Sequence, residues 1–285
     1  MLATLIIVFR EVIEAGLIIG IVLSATRGVP RRARWIGLGV FAGVVGACLV
    51  AAFADSLANL VEGAGQEIFN ACVMAIAVVM LAAHNVWMAR TGRQMGQEMQ
   101  ALGSDVALGR RSLAAMAIVV GVAVLREGSE IALFLYGIAL SEGGKLSSML
   151  AGGAIGLALG AIVSAVMYFG LVQIPTRYVF AVTSRLIALL AAGMAAQAVV
   201  FLQQAGLVSV YAKVIWDTSG VISEGSIAGK ALHSLVGYAD RPTGLQLIVY
   251  VTTLVVIFAL MRLFGRAAPK RISAGALNVR RAPSA

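Results

Sequence analysis

The chain has 285 residues, of which 60% are hydrophobic and 12% are charged, and its formal net charge is +9. Its mean hydropathy of +0.95 is far above that of a soluble globular domain, so the composition excludes that class and predicts a polytopic membrane protein. The two cysteines, Cys48 and Cys72, lie in separate apolar runs and form no C-x-x-C pair, so neither a disulfide framework nor a zinc site is indicated.

Seven apolar stretches approach the roughly 20 residues that a membrane-spanning helix needs. We therefore predict an all-α membrane protein with seven transmembrane helices. The first stretch lacks a basic N-terminal region and is longer than the apolar part of a signal peptide, so we expect it to remain in the mature chain. The stretches cover residues 2–26, 35–60, 67–89, 112–140, 147–172, 179–203 and 245–265.

Most of the basic residues flank one set of ends of these stretches. By the positive-inside rule, this pattern predicts a multi-pass protein of the cytoplasmic (inner) membrane with its N-terminus outside and its C-terminus in the cytoplasm. The topology accounts for the high pI, so no nucleic-acid partner is expected. Acidic residues gather at the outer ends and would concentrate cations there, although the tolerance of exported loops for acidic residues explains that distribution more simply.

Three charged residues interrupt the first stretch in the fragment FREVIEAG, residues 9–16. A charge at the bilayer centre costs at least about 2.5–3.5 kcal/mol on the most lenient scale, so these residues need a compensating role. At 3.6 residues per turn, Arg10, Glu11 and Glu14 share one helix face. Both glutamates can therefore reach one ion, while Arg10, four residues before Glu14, can orient that carboxylate.

The same charged pattern recurs in LREGSEIALFLYGIALS, residues 125–141, where Arg126, Glu127 and Glu130 repeat the first motif. Three spans form each half, and this odd number gives the two halves opposite orientations. Such inverted repeats are typical of secondary transporters, whose substrate site lies near the midplane at the repeat interface. We predict a 3+3 inverted repeat followed by one C-terminal helix. Weaker similarities pair Gly39 with Gly153, Gly46 with Gly160, and His84 with Gln197.

Two such helices facing each other would supply four carboxylates and two guanidiniums, whose excess negative charge a divalent or trivalent cation would offset. Carboxylates are hard ligands that suit iron, manganese, magnesium or calcium, whereas the scattered methionines fit gap-filling better than copper binding. Self-neutralised ion pairs that hold helices together are the alternative, but the occurrence of the motif in both halves favours a metal site. The predicted metal ligands are Glu11, Glu14, Glu127 and Glu130, with Arg10 and Arg126 orienting them.

The doubled R-E-x-x-E motif, together with W-D-T-S and the later S-E, G-Y and R-P pairs, resembles the oxidase-dependent iron permease family. Its members include the fungal high-affinity permease and the bacterial permease of the Efe iron-uptake system. The resemblance runs from Arg10 to about Arg266. It implies high-affinity iron import with the motif glutamates as ligands, iron as substrate and no permanently bound cofactor, and an extracytoplasmic oxidase or iron-binding partner. Family motifs often have glycine where this chain has Val12, which bears on helix approach at the first span.

Four further residues are weaker candidates. Glu67 begins the third span and faces the acidic mouth, while His84 is the one histidine expected within the membrane and fits either an interhelical hydrogen bond or a metal or proton role. Asp217 and Glu224 lie in the loop 204–244, where they would pass a metal inward or act as solvated charges and caps. A helix cap is predicted at Asp217.

The loop also contains SIAGKALHSLVGY, which predicts a short amphipathic helix at the outer interface, ended by Arg241-Pro242. The predicted domain boundaries follow from these elements. They are a first three-helix repeat at 1–90, a cytoplasmic loop at 91–111, the inverted second repeat at 112–203, the extracytoplasmic loop at 204–244, the seventh helix at 245–266 and a basic cytoplasmic tail at 267–285.

Other classes fit less well. A retinal protein would need a lysine in the seventh span, and an intramembrane hydrolase would need H-E-x-x-H, paired aspartates or a serine near a histidine. The seventh span has no lysine, and the chain has only two histidines, His84 and His233, so no enzymatic activity is predicted. A carrier for another cation, such as manganese or lead, on the same scaffold remains open.

Overall fold

The computed structural model describes residues 1–59, 66–142, 146–170 and 176–265, and these residues form eight α-helices and no strand. The predicted basic tail at 267–285 lies outside the described residues. The helices are α1 (Leu2–Ala25), α2 (Arg32–Asn59), α3 (Gln66–Ala107), α4 (Leu113–Glu142), α5 (Leu146–Tyr168), α6 (Thr176–Gln204), α7 (Ile227–Val236) and α8 (Gly244–Gly265).

Five of these helices are long and apolar enough to cross a membrane by length and composition. They are α2, α3, α5, α6 and α8. The helices α1 and α4 contain 24 and 30 residues, enough to span a bilayer, but the two R-E-x-x-E motifs place three charges in the middle of each. The protein is therefore an all-helical, multi-pass membrane protein.

The third helix is much longer than its apolar part. It contains 42 residues and continues to Ala107, through most of the segment expected to be a loop at 91–111. At about 1.5 Å per residue it extends roughly 60 Å, about twice the thickness of the hydrocarbon layer. Gln94, Gln97, Gln100 and Ala101 in this polar part favour a helix. Its last turns also gain burial, because Val106 packs with Val22 of α1 and Met116 of α4.

Among the described residues, two helix pairs have the most extensive contacts, α2 with α4 and α1 with α5. Glycines of α2 and α5 form these contacts. A Cβ added to Gly43 would lie 2.6 Å from the carbonyl oxygen of Gly121, and one added to Gly156 would lie 2.6 Å from that of Leu5. Small residues of this kind allow helix backbones to approach closely within a membrane.

A glycine on α5 explains how α1 accommodates Val12. A Cβ added to Gly160 of α5 would lie 2.8 Å from the Cβ of Val12, so glycine on α5 makes room for valine on α1. In the second pair the roles are exchanged, since a Cβ added to Gly128 of α4 would lie 2.5 Å from the Cβ of Ala47 on α2. A glycine therefore allows close approach at both motifs. In the first pair it lies on the neighbouring helix α5, and in the second it lies on the motif helix α4 itself.

Replacing Gly156 by Ala is expected to destabilise the α1–α5 contact by about 1–3 kcal/mol, the typical effect of overpacking. The matched control is Gly153→Ala on the same helix, because a Cβ there would lie 3.8 Å from Thr4 Cγ2, an ordinary contact. Thermal unfolding of the two detergent-purified variants measures the difference. Equal unfolding midpoints for both variants would show that α1 and α5 leave room for a methyl group at Gly156.

The loop after α6 contains the predicted amphipathic helix, now α7, packed against α6 and α1. It begins where the predicted segment begins, because Ser226 caps its N-terminus by accepting a 2.9 Å hydrogen bond from Gly229 N. The backbone after Asp217 forms turns and no helix, so the helix cap predicted at Asp217 is wrong. The helix ends at Gly237, whose φ of 68° is the left-handed conformation typical of glycine after a helix, and not at Arg241-Pro242.

Candidate metal site

The two R-E-x-x-E motifs lie together in the interior, where α1, α3 and α4 meet. The side chains of Glu11 and Glu14 are 0% and 3% exposed, and that of Glu130 is 16% exposed. Glu127 is also buried. The helix periodicity that places each motif on one face thus turns both faces inward, towards each other.

In the first motif, the guanidinium is held entirely inside the protein. Arg10 Nε lies 2.9 Å from Glu14 Oε1, and Arg10 Nη1 lies 3.9 Å from Glu11 Oε1. The Arg10 side chain is 1% exposed, so the charge pairs with the two carboxylates and not with water. The role of Arg10 in orienting Glu14 stays a prediction.

In the second motif, Arg126 Nε donates a 3.0 Å hydrogen bond to Glu130 Oε1. The Arg126 guanidinium also lies over the ring of Trp87 on α3, with 3.8 Å between its carbon and the ring centroid. This is a cation–π contact. The Arg126 side chain is 34% exposed, unlike that of Arg10. Sequence reasoning missed Trp87, although its position three residues after His84 places both on one side of α3.

His84 joins the two motifs. Its Nδ1 contacts Glu130 Oε2, while its Nε2 lies 3.7 Å from Glu14 Oε2 and 3.9 Å from Glu11 Oε2. The ring packs edge-on against Phe134, with centroids 6.3 Å apart. His84 therefore lies between the two glutamate pairs and contacts glutamates of both α1 and α4.

The ligand atoms fall into two groups, in each of which they lie within 4.8 Å of one another. One consists of Glu11, Glu14 and His84, and the other of Glu11, Glu127 and Glu130. Glu14 Oε1 is ion-paired with Arg10, but Glu14 Oε2, both oxygens of Glu11 and Glu127 Oε2 are buried and accept no hydrogen bond from the described residues. A buried polar atom left in this state costs about 1–3 kcal/mol, and more when it is charged. The donor set therefore fits a cation shared through Glu11.

A cavity of about 820 Å³ lies between α1, α2, α4 and α5, and both Glu11 and Glu127 are on its wall. Apolar side chains form almost all of the remaining surface, such as Val44 of α2 and Leu157 of α5. An apolar surrounding provides no counter-charge for the carboxylates. It strengthens their attraction for a cation, because the local dielectric constant is low.

The other candidate residues are outside both groups. Glu67 is exposed in the first turn of α3. Asp217 Oδ2 lies 3.0 Å from Arg241 Nε, and Glu224 Oε1 lies 3.2 Å from His233 Nδ1. Hydrogen bonds from Ser219 and Arg241 lower the pKa of Asp217 to about 2, so it stays ionised. These loop charges pair with each other.

Comparison with known proteins points to a family of permeases. Residues 1–271 match the iron permease FTR1 family. The chain is 30% identical over 268 residues to the ferrous iron permease EfeU of Shigella sonnei (strain Ss046), an alignment that covers 91% of this chain and 96% of the relative. It is 29% identical over 280 residues to the ferrous iron permease EfeU of Yersinia pestis, covering 96% of each chain. No solved structure matches the chain.

The protein is thus a membrane transporter and not an enzyme, which confirms the class predicted from the sequence. The chain belongs to the iron permease FTR1 family.

Proposed function

We propose that the protein is a high-affinity iron permease that imports iron across the cytoplasmic membrane, binding it in transit at the glutamates of both R-E-x-x-E motifs. The observation that carries this proposal is the convergence of four carboxylates from α1 and α4 in the interior, where several of their oxygens accept no hydrogen bond from the described residues. With two arginines nearby, the ionised cluster has a charge of minus two before His84 is considered. A divalent cation would neutralise it.

Two overlapping groups suit transport better than one closed site. Because Glu11 belongs to both, an ion can exchange Glu14 for Glu127 or Glu130 while keeping one ligand throughout. Two divalent ions in such close groups would repel each other strongly, so we expect one ion per chain. Binding that is firm yet shared among several ligands allows the ion to enter and to leave.

The packing of the helices supports a 3+3 inverted repeat with seven spans. In such a repeat α1, α2 and α3 correspond to α4, α5 and α6, so the pair α1–α5 corresponds to the pair α4–α2. These are the two helix pairs with the most extensive contacts among the described residues. The contact of Gly156 with Leu5 then corresponds to that of Gly43 with Gly121. By contact, Gly39 corresponds to Gly152, one residue from the Gly153 expected from the sequence.

The orientation proposed for the repeat places the N-terminus outside and the C-terminus in the cytoplasm, following the positive-inside rule. The loop 204–244, with α7, then lies outside the cell membrane, where it would meet an extracytoplasmic oxidase or iron-binding protein. A reporter fused after Arg271 should be cytoplasmic and one inserted near Ser219 should be external.

Iron import is tested with the purified protein in liposomes, using Fe²⁺ under reducing conditions and a panel of competing ions. We expect Fe²⁺ to accumulate above the level in protein-free liposomes, because the donor set suits this ion and relatives are named ferrous iron permeases. Manganese or lead carried in preference to iron would favour the alternative substrate on the same scaffold. Liposomes that accumulate neither would contradict a cation carrier.

A further inference from the structure

The position of His84 is explained only in part by its contact with Glu130. That contact uses Nδ1 and links α3 to α4. The opposite nitrogen, Nε2, points at the first glutamate pair and has no hydrogen-bond partner among the residues that the structure describes. His84 is 6% exposed, so bulk solvent does not reach this nitrogen.

The distances around Nε2 are unsuited to hydrogen bonds but suited to a metal ion. Nε2 is 3.7 Å from Glu14 Oε2 and 3.9 Å from Glu11 Oε2, whereas an N–H···O bond spans about 2.7–3.2 Å. Two ligands that each bind one metal at about 2.1 Å lie about 3–4 Å apart, depending on the angle between them. A metal ion between Nε2 and the two carboxylates would therefore need little movement of any side chain.

We propose that His84 is a nitrogen ligand of the transported ion, which makes the Glu11–Glu14–His84 group selective for divalent transition-metal ions over Mg²⁺ and Ca²⁺. The proposal rests on iron transport through the carboxylate cluster and adds the chemistry that selects the ion. Imidazole is a good ligand for iron and the later transition metals, whereas Mg²⁺ and Ca²⁺ prefer oxygen.

Selection would operate in one of the two groups only. The other group, Glu11, Glu127 and Glu130, offers only oxygen ligands. Gln197, which the repeat pairs with His84, belongs to neither group and has no imidazole. An ion that moves through the cluster would therefore meet a mixed nitrogen–oxygen group and an all-oxygen group in succession, with Glu11 as the common ligand.

X-ray absorption by Fe²⁺ bound to the protein tests the ligand directly, because a coordinated imidazole adds a scattering pattern that carboxylates lack. The chain contains two histidines, and the second, His233, pairs with Glu224 in the loop. Protein purified without a polyhistidine tag is therefore sufficient. We expect the imidazole pattern in the wild type and in His233→Gln, and its loss in His84→Gln.

The matched variants keep the result decisive even if His84→Gln does not fold, because imidazole scattering that remains in His233→Gln can come only from His84. Bound Fe²⁺ without imidazole scattering in the wild type would overturn the proposal while leaving iron binding by the carboxylates intact. Failure of the wild type to bind Fe²⁺ would overturn both this proposal and the proposed function.

Transport gives a second readout. In liposomes, His84→Gln should lower the preference for Fe²⁺ over Mg²⁺ and Ca²⁺ by at least about tenfold, since loss of even an outer partner of a metal ligand costs about 10–100-fold in affinity. A purely structural histidine would change the amount of folded protein without changing this ratio. An unchanged ratio per folded molecule would therefore contradict the proposal.

Discussion

Replacing Glu11 by Gln is expected to abolish iron uptake, with a larger loss than any other single glutamate replacement in the cluster. The reason is that Glu11 belongs to both ligand groups, whereas Glu14, Glu127 and Glu130 each belong to one. Glutamine keeps the shape and removes the charge. We expect a loss beyond the about 10–100-fold seen when an outer partner of a metal ligand is removed.

The measurement is iron uptake per molecule inserted in the membrane, compared across the four Gln variants. Glu14→Gln and Glu130→Gln should also lose uptake per inserted molecule, because each removes one ligand charge. Glu98→Gln is the matched control, since Glu98 is exposed on the polar part of α3 and outside both groups. Wild-type uptake per inserted molecule in Glu11→Gln would refute the shared carboxylate.

Replacing Arg10 by Met should destabilise the protein far more than the same change at Arg126. Arg10 is 1% exposed and ion-paired with Glu14, so its loss leaves buried carboxylates without a counter-charge, which costs about 3–5 kcal/mol. Arg126 is 34% exposed and lies over Trp87, so water can partly replace it. The two variants form a matched pair, because the arginines occupy the same place in the two motifs.

Thermal unfolding of the purified variants, together with their level in the membrane, measures this difference. Arg10→Lys keeps the charge but loses the planar guanidinium that faces both glutamates, so we expect partial loss of uptake with most of the protein retained. If Arg10→Met and Arg126→Met unfold at the same temperature, the difference in burial between the two motifs does not control their stability.

Sequence reasoning located the helices well but not their ends. The seven predicted stretches correspond to α1–α6 and α8, because apolar runs near 20 residues are a strong local signal. The polar extension of α3 to Ala107 and the end of α7 at Gly237 were missed. In the first case, burial of Val106 against α1 and α4 adds to the helix propensity of a polar segment, and no local pattern shows that contact.

The candidate site, like the helices, was predicted from the sequence only in part. The doubled motif predicted four glutamate ligands with two arginines beside them, since spacing along a helix determines which side chains share a face. It did not indicate that Arg10 is buried while Arg126 contacts Trp87, nor that His84 lies between the motifs. Those differences come from α3, which approaches both motif helices and supplies its residues to one common cluster.

By itself, the sequence determined that this protein is a helical membrane transporter, and it predicted carboxylates at two equivalent depths, because hydrophobicity, spacing and repetition are properties of the chain alone. The tertiary structure decided how those carboxylates combine. Glu11 is shared by two ligand groups and His84 completes one of them, since the distances between side chains on different helices depend on helix packing. Glycines such as Gly43 and Gly156 set that packing by allowing the backbones to approach, and their partners are distant in the sequence.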